Sequence, residues 1–174
     1  LEICDRINKY EDLPYTLSVT TSYGEDLARK HAKNVITGKL TKEDMVRFIE
    51  KNNIKAILLD IDNTMIDTDN NILEGLEDWV EEAKKHVKKF CILSNTNKKK
   101  KAEKMSKKLE VPYIYFAKKP FKFGFNRAKK IVQENSENIA VIGDQILTDV
   151  LGANRSHMYS ILVEPLAEKD IFVT

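Results

Sequence analysis

At residues 56–64 the chain reads Ala-Ile-Leu-Leu-Asp-Ile-Asp-Asn-Thr, an apolar run followed at once by two acids, Asp60 and Asp62. Short apolar runs of this kind are typical of a strand that is buried on both faces, as in a parallel sheet. Ligands of open α/β sheets bind at the carboxyl ends of the strands. Because burying acids without partners is costly, this strand end indicates a bound cation or a reaction.

Strand-like and helix-like segments alternate along the rest of the chain. Strands are predicted at 15–20, 54–60, 90–93, 113–116, 139–142 and 159–163, and helices at 25–36, 41–52, 74–86, 97–109, 122–135 and 146–154. The alternation predicts an α/β fold, a Rossmann-like, doubly wound parallel sheet with right-handed crossovers. We expect a short N-terminal α/β extension of unknown role at residues 1–40 and a core at residues 41–174.

The bulk composition, 174 residues with 42% hydrophobic, is that of one globular domain. No apolar run approaches the ~20 residues of a membrane span, and the charged start lacks the apolar centre of a signal peptide. Two isolated cysteines, Cys4 and Cys91, suggest a reducing compartment. We therefore expect a cytoplasmic protein, and peripheral contact with a membrane stays open.

Positive charge is concentrated in the middle of the chain. Residues 84–130 carry 17 Lys or Arg and only 2 acids, so this part is near +15 and the remainder near −13. One interpretation is solvated helix faces; another is a positive surface that attracts a polyanionic substrate or an anionic membrane. Lys100, Lys104 and Lys107 or Lys108 can form one basic stripe on the helix at 97–109, and we expect it to orient the protein on anionic lipid.

Polar side chains follow four successive predicted strands at their carboxyl ends, where a doubly wound sheet gathers them into one crevice. They are Asp60 and Asp62, then Ser94, then Lys119, then Asp144 with Asp149 five residues later. A carboxylate can attack phosphorus, a second can transfer protons, and a hydroxyl and an ammonium can hold the transferring oxygens. Mg²⁺ prefers oxygen ligands. The set predicts a magnesium-dependent phosphate-handling enzyme.

These residues resemble the haloacid dehalogenase-like (HAD) phosphatase superfamily, whose first motif, DxDxT, stands here at Asp60, Asp62 and Thr64. The resemblance implies that Asp60 is the nucleophile and a metal ligand. It also implies that Asp62 is the general acid–base and binds magnesium through its carbonyl, and that Thr64 contacts the substrate or buttresses the loop.

The remaining motifs of that superfamily also have counterparts in the chain. By resemblance, Ser94 supplies a phosphate-binding hydroxyl, with Asn95 beside it on the substrate. Lys119, favoured over its neighbour Lys118, matches the catalytic and substrate-binding lysine. Asp144 matches a metal ligand, and Asp149 matches its supporting acid.

Residues 143–155 look like the signature of the YqeG-type subfamily, and residues 93–96 and 117–120 fit it as well. That subfamily includes bacterial proteins of uncertain substrate and mitochondrial phosphatases that act on phosphatidylglycerophosphate. The resemblance covers about residues 45–170 and does not reach residues 1–40. It implies phosphomonoester hydrolysis through an aspartyl-phosphate, with a phospholipid head group as one candidate substrate.

The spacing of the motifs leaves no room for a sizeable cap domain, since 29 residues separate Thr64 from Ser94 and 24 separate Ser94 from Lys119. An open site admits a large or membrane-held substrate, and an oligomer partner would be needed to enclose a small one. Phe121, Phe123 and Phe125 are interpreted as packing residues, one of them exposed.

Other functions stay as alternatives. They are a phosphatase for a soluble metabolite or a macromolecule, phosphate transfer between metabolites, a signalling receiver domain, and a basic nucleic-acid-binding module. The missing cap disfavours transfer because water is poorly excluded. The paired Asp60 and Asp62 disfavour a receiver, and the complete catalytic set disfavours nucleic-acid binding as the sole role.

Overall fold

The computed structural model describes residues 16–18, 42–163 and 165–166, so the helix predicted at residues 25–36 lies outside the described residues. The strands are β1 (Thr16–Ser18), β2 (Ala56–Leu59), β3 (Lys89–Leu93), β4 (Tyr113–Ile114), β5 (Ile139–Gly143) and β6 (Tyr159–Leu162). The α-helices are α1 (Lys42–Lys51), α2 (Leu76–His86), α3 (Lys99–Leu109), α4 (Lys122–Val132) and α5 (Leu151–Arg155). None of these helices is long and apolar enough to cross a membrane.

The six strands form one sheet in the order β1-β6-β5-β2-β3-β4, and every neighbouring pair is parallel. From β2 the chain moves outward through β3 to β4, and it then crosses back to β5 and β6 on the other side of β2. The strand order therefore reverses between β2 and β5. This arrangement confirms the predicted doubly wound α/β fold.

Successive residues of β2 face opposite sides of the sheet, as strand geometry requires. Ile57 and Leu59 belong to an apolar cluster with buried residues of α1, α2 and α3. Ala56 and Leu58 belong to a second cluster with buried residues of α4 and α5. Both faces of the strand are thus covered by helices, which explains why the run is apolar throughout.

Two predicted elements differ from the observed ones next to the carboxyl edge. The strand predicted at 113–116 ends at Ile114, because the chain turns through a left-handed conformation at Phe116, where φ is 50°. The helix predicted at 146–154 is a π-helical turn, Ile146–Val150, followed by the short α5. Both deviations lie where the chain brings polar side chains into the crevice.

The proposed division of the chain near residue 40 stays a prediction. Within the first 40 residues the structure describes β1, which pairs with β6 through Thr16 opposite Ser160 and Ser18 opposite Leu162. The segment predicted as an extension therefore contributes the outermost strand of the core sheet.

Candidate active site

Asp60 directly follows β2 and lies beside β5, at the point where the strand order reverses. Its backbone N–H donates to the Ile142 carbonyl at 2.9 Å, which continues the β2–β5 pairing by one residue. The residue is 5% exposed. A buried carboxylate thus occupies the crevice in which doubly wound sheets bind their ligands.

Lys119 is the cation that faces this carboxylate. Its Nζ lies 2.8 Å from Asp60 Oδ1 and 2.5 Å from Asp149 Oδ1. All three side chains are at most 6% exposed. Because an unpaired buried charge is strongly destabilising, the ammonium stabilises both carboxylates in place. The trio retains one net negative charge when all three groups are ionised.

The side chain of Asn95 forms two hydrogen bonds with the backbone of Lys119. Its Nδ2 donates to the Lys119 carbonyl at 3.0 Å, and its Oδ1 accepts from the Lys119 N–H at 2.7 Å. The preceding residue, Lys118, has a left-handed φ of 56° and an exposed side chain. The structure therefore directs Lys119, and not Lys118, into the crevice, and the substrate contact of Asn95 stays a prediction.

Asp149 reaches the crevice from the π-helical turn that follows β5. Its Oδ2 accepts from the Gln145 N–H at 3.2 Å, while its Oδ1 contacts Lys119. A Cβ at Gly143 would lie 2.3 Å from Asp149 Cγ, so only glycine leaves room for this carboxylate. Single π turns inside helices recur at functional sites. Both oxygens of Asp149 are engaged by the protein, which fits its predicted supporting role.

Asp144 completes a cluster of three carboxylates with Asp60 and Asp149, in which one ligand atom from each lies within 4.8 Å of the others. The Thr64 hydroxyl donates to Asp144 Oδ1 at 3.2 Å, so Thr64 orients a carboxylate of the cluster. Three carboxylates outweigh the single ammonium, and an all-oxygen donor set suits a hard divalent cation. The residues present therefore fit a metal ion, with Asp60 and Asp144 as the carboxylates less engaged by the protein.

Asp62 lies outside that cluster. Its side chain is 44% exposed and forms an ion pair with Lys101 of α3, whose side chain is 18% exposed. The predicted metal contact of Asp62 is through its carbonyl, and this contact stays a prediction, as does its role in proton transfer. Sequence reasoning missed Lys101, because it is one of four consecutive lysines, 98–101, in the segment after β3.

Ser94 follows β3 and is 1% exposed. Its hydroxyl oxygen accepts a hydrogen bond from the Thr96 N–H at 3.1 Å. A hydroxyl has one proton to donate and lone pairs that accept hydrogen bonds. The Ser94 hydroxyl can therefore donate to a phosphate oxygen while it accepts the hydrogen bond from the Thr96 N–H.

Burial and mutual repulsion perturb the carboxylates of this site. Burial raises the pKa of Asp60 to about 6; Lys119 opposes this rise and Asp149 adds to it. Burial, with the charges of Asp60 and Asp149, raises the pKa of Asp144 to about 7. For Lys119, burial disfavours the charge, but Asp149 and Asp60 together raise its pKa above the ordinary value. Lys119 is therefore a cation at neutral pH, and the carboxylates carry excess charge that a metal would offset.

The family described as "Mitochondrial PGP phosphatase" matches residues 11–166 of the chain. The "Probable phosphatase YqeG" of Bacillus subtilis (strain 168) is 42% identical over 127 residues, which are 72% of this chain and 73% of the relative. An uncharacterized protein from Listeria monocytogenes serotype 4b has a similar fold, with a TM-score of 0.55 at 15% identity, over 70% of this chain and 86% of that one.

The chain therefore belongs to the mitochondrial PGP phosphatase family, and it is a phosphatase. The recognition of a HAD phosphatase of the YqeG type from its motifs is confirmed. The family match begins at residue 11, so it includes most of the segment to which the motif resemblance did not extend.

Proposed function

We propose that this chain hydrolyses a phosphomonoester through an aspartyl-phosphate on Asp60, with magnesium as its metal and a phospholipid head group, such as that of phosphatidylglycerophosphate, as its substrate. The observation that supports this best is the contact of the buried Asp60 with Lys119 at the reversal of strand order. With a pKa of about 6, Asp60 is mostly a carboxylate above neutral pH. A carboxylate shielded from water is a suitable nucleophile for phosphorus.

The reaction divides into two displacements at phosphorus. In the first, Asp62 enters as the carboxylic acid rather than as the ion pair with Lys101; an oxygen of Asp60 bonds to phosphorus, the ester P–O bond breaks, and the leaving alkoxide takes the proton of Asp62. In the second, water attacks phosphorus, Asp62 accepts the water proton, and the bond to Asp60 breaks to release phosphate. Asp62 suits this shuttle because its side chain is half-exposed and can exchange protons with water.

Lys119 and Ser94 would hold the transferring oxygens. The Lys119 ammonium already contacts the nucleophile, so it would also contact a phosphoryl group attached there. Asp60, Asp144 and the carbonyl of Asp62 would hold magnesium. When bound, the ion would offset the repulsion between the phosphate and the carboxylates.

The choice of a lipid substrate is supported by the family description and by the lack of an inserted cap domain within residues 42–163. The connection from β2 to β3 contains two isolated bridges, Asp62 with Ile66 and Ile66 with Ile72, and the helix α2. Within residues 42–163 no inserted domain covers the crevice. A head group held in a bilayer can enter such a site, as can a macromolecule; a soluble metabolite phosphatase is the alternative.

Phosphate release in the presence of Mg²⁺ tests the proposal, with native protein compared with Asp60→Asn, which keeps shape and removes the nucleophile. The substrates are phosphatidylglycerophosphate in vesicles, glycerol 3-phosphate, p-nitrophenyl phosphate and a phosphopeptide. We expect the lipid to be preferred and the substitution to lower kcat by roughly 10⁴-fold or more, as for other nucleophile removals. Asp69→Asn, at an exposed acid, is the matched control and should retain full activity.

Mass spectrometry of acid-quenched native protein should locate a hydroxylamine-sensitive phosphate on Asp60. Turnover that persists in Asp60→Asn would overturn the mechanism. A soluble ester hydrolysed faster than the lipid would overturn the substrate and leave the mechanism standing.

A further inference from the structure

The segment between β4 and α4 and the first turn of α4 carry exposed aromatic side chains on both sides of the buried Lys119 in sequence. Phe116, Phe121 and Phe123 are 53%, 63% and 58% exposed, whereas Lys119 is 5% exposed. These three residues are called the aromatic rim below. The sequence predicted one exposed residue among Phe121, Phe123 and Phe125, but only Phe125 is buried.

The aromatic rim is not needed to complete the core. The inner face of α4 is formed by Phe125, Ala128 and Val132, which pack in the second apolar cluster. The start of α4 is also fixed against the preceding segment, since a Cβ at Gly124 would lie 2.5 Å from the Ala117 carbonyl oxygen. The exposed rings are thus presented by a close-packed support and are available for an interaction.

The segment that carries the aromatic rim is basic. Residues 111–133 contain six Lys or Arg and no acid. Lys118 Nζ lies 5.2 Å from the centre of the Phe116 ring, and Arg127 Cζ lies 5.6 Å from that of Phe123. Cations interspersed with exposed aromatics are the composition of surfaces that lie in a membrane interface. Anionic lipid attracts the cations, and the interface takes up the rings.

We propose that the aromatic rim inserts into the interface of an anionic lipid bilayer and so holds the carboxyl edge of the sheet against the lipid head groups. This inference rests on the proposed function, since it supposes that the phosphate to be cleaved is part of a lipid. A head group reaches Asp60 and Lys119 from the carboxyl edge; Phe116 and Phe121 belong to the same segment as Lys119, and Phe123 follows in the first turn of α4. Leu147, in the turn after β5, is 50% exposed beside Asp144 and Asp149 in sequence.

The aromatic rim differs from the basic stripe predicted on α3. Helix α3 packs in the first apolar cluster, on the other face of the sheet from α4, and contains no aromatic residue. One of its lysines, Lys108, is also paired with Glu77. The stripe can supply attraction at a distance, but only the rim offers apolar side chains for insertion.

Vesicle binding of the full chain tests the proposal with Phe121→Ser/Phe123→Ser against Ile131→Ser. Ile131 is 42% exposed in the last turn of α4, away from the carboxyl edge, so its substitution removes exposed apolar surface from the same helix without changing the aromatic rim. Phe121 is the N-cap of α4, where serine is preferred, so the double variant should fold. On phosphatidylglycerol vesicles we expect at least tenfold weaker binding for the rim variant and unchanged binding for the control. Vesicles of phosphatidylcholine alone should bind the native chain weakly.

Turnover separates this inference from the proposed function. We expect the rim variant to hydrolyse p-nitrophenyl phosphate like the native chain and vesicle-embedded phosphatidylglycerophosphate more slowly. Equal vesicle binding by native and rim variants would overturn the docking surface, whatever the substrate. A rim variant that changes only the oligomeric state, or only binding to RNA, would assign the surface to a second copy or to nucleic acid instead. If vesicle binding depends on the aromatic rim but the native chain does not hydrolyse the lipid, the lipid substrate would be overturned and the docking surface would stand.

Discussion

Asp60 and Asp62 lie two residues apart but in opposite surroundings. The Asp60 side chain is 6% exposed and faces Lys119, which is 1% exposed, whereas Asp62 is 44% exposed and faces Lys101, which is 18% exposed. Each acid therefore has one lysine, but only the first pair is removed from water. The buried pair and the exposed pair make the same kind of contact with very different energetic consequences.

The difference corresponds to the two chemical tasks that we propose. A nucleophile benefits from a fixed position and from the exclusion of water, which strengthens its interaction with nearby charges. A group that moves protons to and from solvent benefits from access to water and from an ion-pair partner that can be released. Asp60 continues β2 between β3 and β5 and is buried there, whereas the side chain of Asp62, in the connection beyond the sheet, is half-exposed.

Substitution of Lys119, the lysine of the buried pair, should have the largest effect on stability and on kcat. Lys119→Met leaves Asp60 and Asp149 buried without their cation, and breaking such a pair destabilises a protein by about 3–5 kcal/mol. Loss of the charge that contacts the phosphoryl group should also lower kcat by roughly 10²–10³-fold. Urea unfolding at pH 8 and kcat on p-nitrophenyl phosphate are the measurements.

The neighbouring lysine provides the control for that experiment. Lys118→Met removes the same charge from an exposed position, so its effect on the free energy of unfolding should stay within about 0.5 kcal/mol. Adding Asp149→Asn to Lys119→Met should restore part of the stability, because one buried charge no longer needs a partner. Equal effects of the two lysine substitutions would contradict the assignment of Lys119 to the site.

The acids of the buried region should make stability depend on pH when no metal is bound. Asp60 and Asp144 have folded pKa values of about 6 and about 7, above the ordinary 3.8, so the folded state binds more protons than the unfolded state between these limits. Stability contributed by these groups is therefore present at pH 4 and lost as the pH rises to about 7. Asp144→Asn should stabilise the metal-free protein at pH 8, by an amount on the order of 2–4 kcal/mol.

Metal addition provides the second half of that test. Mg²⁺ should stabilise the native chain at pH 8, because it binds the folded state preferentially, and Asp144→Asn should lose most of this gain. Asp69→Asn, at an exposed acid, should follow the native curve with and without the ion. The free energy of unfolding in chelator supplies the contradicting outcome. If it rises between pH 4 and pH 8 for the native chain relative to Asp144→Asn, then Asp144 is stabilised as a carboxylate by groups other than the metal.

The sequence was sufficient to predict which residues meet around the buried Asp60. An apolar run ending in Asp60, and polar residues at three further strand ends, are local signals whose convergence follows from the topology of a parallel sheet. Their counterparts Lys119, Asp144 and Asp149 do meet Asp60 in the structure. The π-helical turn was not predicted, since a helical period cannot distinguish an α turn from a π turn of five residues.

The partner of Asp62 and the exposed aromatic residues could not be predicted from the sequence in the same way. Lys101 stands among identical neighbours, and which of the four lysines meets Asp62 depends on how α3 is rotated against the sheet. The exposure of both Phe121 and Phe123, instead of one phenylalanine, was not predicted because apolar residues near a helix start are normally assigned to the core, and the tight contact of Gly124 with Ala117 is tertiary. Sequence patterns therefore identified the residues fixed by the sheet better than those fixed by helix packing.

The smallest effect is expected from the exposed pair, through Lys101→Met. An ion pair with one side chain 44% exposed contributes about 0–1 kcal/mol to stability, so the unfolding transition should barely move. If Asp62 transfers protons, loss of its cationic partner should instead change the dependence of kcat on pH, with at most about a tenfold change in the maximal rate. Lys100→Met, one residue away and exposed, should leave both measurements unchanged. A loss of stability or kcat as large as that of Lys119→Met would mean that Lys101 belongs functionally to the buried cluster, and the distinction between the two pairs would fail.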